Sequence, residues 1–247
     1  MSSPALAFRR SISAVPDDKF LDIQNLDAGY GRSQVLFGVN LSVPWRGGVA
    51  ILGRNGAGKT TLMKAIVGEL PVLSGAIQLD GRGIGTLPTE QRIRHGIGYV
   101  PQEHSVFAKL SVRDNLAVGA LTNRDSGAVD RVLEIFPKLG QRLDQFAGTL
   151  SGGERKMLAI GRAMLSNPKI LLLDEPTEGV WIGVIEEITE RLLALSKDIA
   201  VVIVEQHLDL ALRIATQAYV LDRGTVAMAG SAAAIRDDAR LFQFLAP

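Results

Sequence analysis

Residues 53 to 60 read Gly-Arg-Asn-Gly-Ala-Gly-Lys-Thr. That spacing can cradle a chain of phosphates. Gly53, Gly56 and Gly58 let the backbone bend so that its N–H groups point inward at anionic oxygens. A helix opening at Lys59 adds its positive dipole end to the same spot. Lys59 is expected to reach the β- and γ-phosphates, and the Thr60 hydroxyl to ligate Mg2+. Such a loop needs a strand before it and a helix after it. Val49-Ala50-Ile51-Leu52 supplies the first, and Thr61-Leu62-Met63-Lys64-Ala65-Ile66-Val67 the second.

Two further clusters could join this chemistry. Asp174-Glu175 directly follows the apolar run Leu171-Leu172-Leu173. A buried strand ending in carboxylates delivers them to the sheet edge where ligands bind in such folds. Asp174 suits a Mg2+-holding acid, and Glu175 a general base that orients water. Leu150-Ser151-Gly152-Gly153-Glu154 has capping-box spacing, Ser151 with Glu154 three residues on, ahead of a helix over 155–165. Paired glycines cost helix stability, so backbone approach to an anion is the expected reason for Gly152 and Gly153. A second phosphate-facing helix start cannot easily fold onto the chain's own loop. Two copies set head to tail resolve that, each capping the other's nucleotide.

The elements that must position these groups read clearly. Strands are expected at Phe20–Leu26, Val35–Val43, Ala76–Leu79, Ile97–Val100, Ile170–Leu173 and Ile199–Val204, with a terminal hairpin of Tyr219–Leu221 and Thr225–Met228. Helices are expected at Pro88–His95, around Ile185–Leu195 and at Leu208–Ala215. Short, wholly apolar strands alternating with helices imply a mostly parallel sheet covered on both faces. Residues 104–166 change character and read as an inserted helical subdomain.

Composition bounds the rest. Apolar residues make up 47% of the 247, enough for a sizeable core. Basic and acidic residues number 27 and 26, a net charge of +1, which argues against nucleic acid as a partner. There is no cysteine, so disulfides and thiolate metal sites are excluded. No apolar run reaches membrane-spanning length. Residues 1–19 lack the apolar middle of a secretory signal and read as a disordered tail.

Taken together, residues 20–247 resemble the ATP-binding subunit of an ABC transporter. The phosphate loop matches at Gly53–Thr61, with Asn55, Ala57 and Thr61 inside it. The glutamine loop matches Gln102, the signature Leu150–Glu154, the acid-terminated strand Ile170–Glu175, and the switch histidine His207, all in family order. The resemblance implies an α/β fold: a P-loop NTPase core with a mostly parallel sheet, an antiparallel β subdomain and the helical insertion. It implies ATP and Mg2+ as ligands, with Mg2+ held by Thr60, Gln102 and Asp174. Tyr30 would stack on adenine, Ser151 to Gly153 would reach the partner copy's nucleotide, and Lys59, Gln102, Glu175 and His207 would serve hydrolysis. The implied partners are transmembrane permease subunits, a second copy or a paralogue, and indirectly a periplasmic solute-binding protein. The implied location is peripheral, on the cytoplasmic face of the inner membrane. Thr177-Glu178-Gly179, Val204-Glu205-Gln206 and Val106–Leu116 are most similar to importers of branched-chain amino acids, amides and urea. Lipopolysaccharide-export ATPases share part of that pattern, and chromosome and DNA-repair ATPases share the same head.

One segment departs from the family. At the position of Trp181 the family at large has an aspartate, in a loop that crosses the dimer interface. Val180-Trp181-Ile182-Gly183 offers no carboxylate and no residue to cap the next helix. Trp181 is expected to pack between two copies or against the helical subdomain.

Overall fold

The computed structural model describes residues 19–245. The tail expected over 1–19 therefore lies outside the described residues, apart from Lys19. The chain opens with β1 (Lys19–Tyr30), β2 (Ser33–Pro44), β3 (Gly47–Leu52), α1 (Lys59–Val67), β4 (Val72–Leu79), β5 (Arg82–Gly83), α2 (Thr89–Arg94) and β6 (Ile97–Val100). Four helices follow: α3 (Val112–Ala120), α4 (Ala128–Ile135), α5 (Pro137–Gly140) and α6 (Gly152–Met164). Then come β7 (Ile170–Asp174), α7 (Ile182–Leu195), β8 (Ala200–Val204), α8 (Leu208–Ile214), β9 (Ala215–Asp222), β10 (Thr225–Ser231), α9 (Ala232–Asp237) and α10 (Leu241–Leu245).

Two sheets result. The smaller has the order β2-β1-β4-β5 and its pairs are antiparallel. The larger runs β10-β9-β3-β8-β7-β6, with parallel pairing from β9 through to β6 and only the terminal β9–β10 hairpin antiparallel. Period-two alternation divides the larger sheet's side chains between two cores. Ala50, Leu52, Leu171, Leu173, Val201 and Ile203 pack with α3–α8 on one face. Val49, Ile51, Ile170, Leu172, Ala200 and Val202 pack with α1 and the antiparallel sheet on the other. Burial on both faces is why β3, β7 and β8 are apolar at nearly every position.

The consequence for function is topological. In β3-β8-β7-β6 the strands point the same way, so the loops leaving them emerge side by side at one edge. Those loops begin at Gly53, Glu205, Glu175 and Pro101. Helix α1, which carries the phosphate loop, is anchored at its far end by Arg92. That guanidinium is buried and donates to the carbonyls of Ala65 (2.7 Å), Ile66 (2.9 Å), Gly85 (2.7 Å) and Leu87 (2.8 Å). A cation on the last carbonyls of a helix complements its dipole.

Candidate active site

The phosphate loop leaves β3 through Gly53, whose φ is 149°. A Cβ there would lie 2.4 Å from the carbonyl oxygen of Leu221, so only glycine lets the loop pass this close to β9. Helix α1 starts at Gly58 with no side-chain cap. Its first-turn N–H groups are thereby left for an anion. Lys59 is 5% exposed; its ammonium donates to the carbonyls of Gly53 (2.8 Å) and Arg54 (3.0 Å) and stands 3.7 Å from Glu175 Oε1. Thr60 is half-buried and Thr61 buried behind it, while Asn55 and Gly56 are exposed at the loop's tip and Ala57 is buried.

Asp174 ends β7 at 0% exposure, and neither carboxylate oxygen has a hydrogen-bond partner. Burial pushes its pKa up to about 6, with Glu175 adding to the rise and the Thr60 hydroxyl and Lys59 offsetting part of it. An orphaned buried carboxylate beside a threonine hydroxyl is a hard-oxygen donor set that fits Mg2+. No group of three or more His, Cys, Asp or Glu capable of holding a metal occurs among the described residues, so phosphate and water oxygens would complete the shell.

Glu175 is fixed at every polar group. Its φ is 47°, a left-handed conformation that costs a non-glycine residue on the order of 1 kcal/mol or more. Its N–H donates to Val204 O (2.9 Å), and its carbonyl accepts from the buried ammonium of Lys156 (3.1 Å). Oε2 accepts from Gln102 Nε2 (2.9 Å), which donates equally to Glu178 Oε2 (2.9 Å). Oε1 accepts from Gln206 Nε2 (3.1 Å). Lys156 also donates to Gln102 O (3.0 Å), tying the β6 and β7 loops to α6. Desolvation lowers its pKa, and the surrounding carboxylates resist that.

The remaining expected residues fall in different places. Tyr30 closes β1, half exposed, with the Lys64 ammonium 5.9 Å above its ring. His207 is the N-cap residue of α8; its side chain is exposed and makes no hydrogen bond among the described residues. Ser151 to Gly153 are not joined to Gly53–Thr61 by any hydrogen bond among the described residues. Ser151 caps α6 instead: it donates to Glu154 Oε2 (2.8 Å) and accepts from Glu154 N (3.3 Å). The helix begins at Gly152, earlier than the expected 155, because that box closes its first turn. A Cβ on Gly153 would lie 2.4 Å from Val184 Cγ1, so close packing on α7 already accounts for that glycine without an anion. Trp181 is 74% exposed and Ile182 70%, which excludes packing against the helical insertion. The Trp181 ring lies over Gly183, and α7 starts there without a side-chain cap.

Sequence reading gave no site role to Lys156, Glu178, Glu205 or Gln206, although the last three stood among the segments similar to the importers. Glu205 is buried and accepts from Thr177 N (3.0 Å), Thr177 Oγ1 (2.6 Å) and Gln206 N (3.2 Å). The available signal was position: Glu205 and Gln206 follow a buried parallel strand directly, as Glu175 does.

Similarity to known proteins follows the same lines. The profile of the family described as ABC transporter matches residues 36–178. The chain is 41% identical over 219 residues to the high-affinity branched-chain amino acid transport ATP-binding protein BraG of Pseudomonas aeruginosa, covering 87% of this chain and 94% of that one. It is 37% identical over 226 residues to the lipopolysaccharide export system ATP-binding protein LptB of Escherichia coli K12, covering 88% and 93%. Among solved structures it superposes on a nucleotide-free ATP-binding cassette from an ABC transporter with a TM-score of 0.82 at 26% identity, covering 93% of this chain and 99% of that one.

Proposed function

The chain belongs to the ABC transporter family, whose ATP-binding subunits hydrolyse ATP, and from that premise we propose that it powers import of branched-chain amino acids, amides or urea. The observation that carries the catalytic reading is the meeting of Lys59, Asp174, Glu175 and Gln102 at one sheet edge. ATP lies with its phosphates on the N–H groups of the loop and the start of α1. Lys59 leaves the carbonyls of Gly53 and Arg54 for the β- and γ-phosphates. Thr60, Asp174 and the Gln102 side chain would hold Mg2+, which would supply charge neutralisation at the phosphate oxygens. Gln102 spends its amide on two carboxylates, which leaves its carbonyl oxygen for that role. Tyr30 stacks on the adenine. Glu175 takes the proton of the attacking water. Most of the rate comes from positioning and charge stabilisation.

Ser151 to Gly153 cover the nucleotide of a second copy or of a paralogue, and closure is a population shift driven by tighter ATP binding to the closed form. Trp181 and Ile182 then lie in the seam, because their loop, on its way from Glu175 and Glu178 to α7, passes the start of α6, with Gly179 and Val180 against Gly152 and Gly153. No described helix is long and apolar enough to cross a membrane. The chain works instead against permease subunits at the cytoplasmic face of the inner membrane, served indirectly by a periplasmic solute-binding protein. The identity with LptB favours export of lipopolysaccharide as the second reading.

Affinity purification from the native membrane tests the assignment. Recovery of permease subunits supports transport, and the solute-binding protein that accompanies them marks import. Recovery of ribosomes or DNA alone contradicts both.

A further inference from the structure

We infer that Lys156 is a positioning residue for hydrolysis: its ammonium fixes the backbones of Gln102 and Glu175 against the helix that opens after Ser151. The inference rests on the proposed function, since it takes Glu175 as the base. Lys156 lies in the second turn of α6 and is 7% exposed. Its Nζ donates to Gln102 O (3.0 Å) beyond the end of β6 and to Glu175 O (3.1 Å) beyond the end of β7. An ammonium has three donors and no acceptor, so it can join two carbonyls that would otherwise repel each other. The same two residues meet again through their side chains, with Gln102 Nε2 donating to Glu175 Oε2 at 2.9 Å. One ammonium thus sets the spacing across which that side-chain bond forms.

Glu175 needs such a clamp. Its φ of 47° is left-handed, a conformation that persists only where neighbours hold it. Its N–H is held by Val204 O at 2.9 Å, and its carbonyl takes the Lys156 ammonium together with the Glu178 N–H at 3.3 Å. Charge contributes as well. Desolvation lowers the Lys156 pKa, while Glu178, Glu205, Asp174 and Glu175 oppose the fall, so these carboxylates favour the ammonium form. The clamp is also held from behind. Gly152 and Lys156 share one face of α6, and that face lies on the loop after Glu175, where a Cβ on Gly152 would stand 3.1 Å from Gly179 O. The capping box of Ser151 and Glu154 closes the turn at its start. The helix start that covers a second copy's nucleotide is therefore joined, one turn on, to the base of its own site.

The test measures ATP turnover, ATP affinity and thermal unfolding on the full chain. Lys156→Met keeps most of the stem and removes the donor. It is expected to lower kcat by about tenfold or more and to change ATP affinity by less than about threefold. Lys156→Arg, which can still donate to both carbonyls, should return to within about fivefold of the parent. Lys156→Met added to Glu175→Gln should lower the remaining phosphate release by less than about threefold, because a residue that acts through Glu175 then has little left to act on. A loss under about tenfold in Lys156→Met overturns the inference, as does a fall in ATP affinity that matches the fall in rate. Lys156→Arg no faster than Lys156→Met overturns it too, and so does a Lys156→Met effect that multiplies in full on Glu175→Gln. Where Lys156→Met unfolds below the assay temperature, Lys156→Gln replaces it. That side chain is one atom shorter and uncharged, and it should lose about threefold or more in kcat with ATP affinity intact; a smaller loss overturns the inference. Lys59→Ala separates the two levels. Turnover that survives in Lys59→Ala defeats the proposed function. An inactive Lys59→Ala beside an unimpaired Lys156→Met defeats only the inference.

Discussion

Asp174 is a carboxylate buried from solvent with no well-formed hydrogen bond, offset only in part by the nearby Thr60 hydroxyl and Lys59, an arrangement that costs folding energy and invites a cation. Its folded pKa of about 6 lies above the ordinary aspartate value. The group is therefore least costly when protonated. Its relative contribution is fully present below about pH 4 and is lost as pH rises through about 6. At pH 7 the cost is on the order of 3 kcal/mol. Asp174→Asn should accordingly raise the thermal midpoint of the nucleotide-free protein at pH 7, with the gain shrinking towards pH 4, while Mg2+-dependent hydrolysis disappears. Calorimetry across that range checks the point, and equal midpoints at pH 7 would contradict it. Lys59 is bound the other way. It has two carbonyls and Glu175 as partners, so Lys59→Ala should cost some stability as well as weaken nucleotide binding and abolish hydrolysis. Filter binding alongside a turnover assay separates those effects.

The elements hold these groups through few but specific contacts. Arg92 satisfies the last carbonyls of α1, the helix whose other end receives the phosphates. Arg92→Leu keeps bulk but leaves buried acceptors unpaired. It should cost about 3 kcal/mol in urea unfolding, and a loss under about 1 kcal/mol would show that water replaces the guanidinium. Much of this scaffold was legible in the chain. β3, β7 and β8 are apolar at nearly every position because both faces are buried, and α1 follows its loop at the expected residue. The carboxylates at the end of β7 were legible for the same reason. Lys156 was not, because a lysine within a helix reads as a solvated face, and only tertiary packing aims it at Gln102 and Glu175. Gln206 was hidden by its neighbour, since histidine is the residue whose chemistry draws notice. The glycines of the signature were read for an anion, whereas the close approach of α7 to α6 accounts for Gly153.

At the scale of the whole molecule, one face is unfinished. Ser151 is exposed with its hydroxyl turned to its own Glu154, and Trp181 and Ile182 project beside it. A partner copy would complete that face and cover Trp181. With Trp45→Phe as background, Trp181 is the remaining tryptophan. Its emission should shift to the blue and its access to a soluble quencher should fall when ATP is added to Glu175→Gln, in which the nucleotide cannot be consumed. Unchanged quenching would place Trp181 outside the seam. The most direct test of the account is the stoichiometry of that same Glu175→Gln protein, measured by light scattering on a sizing column with Mg2+ and ATP. The predicted result is a particle of two chains that retains two ATP, and that returns to single chains when Ser151→Arg is added. A particle of one chain holding ATP, together with parent turnover per molecule that does not change on dilution, would contradict it.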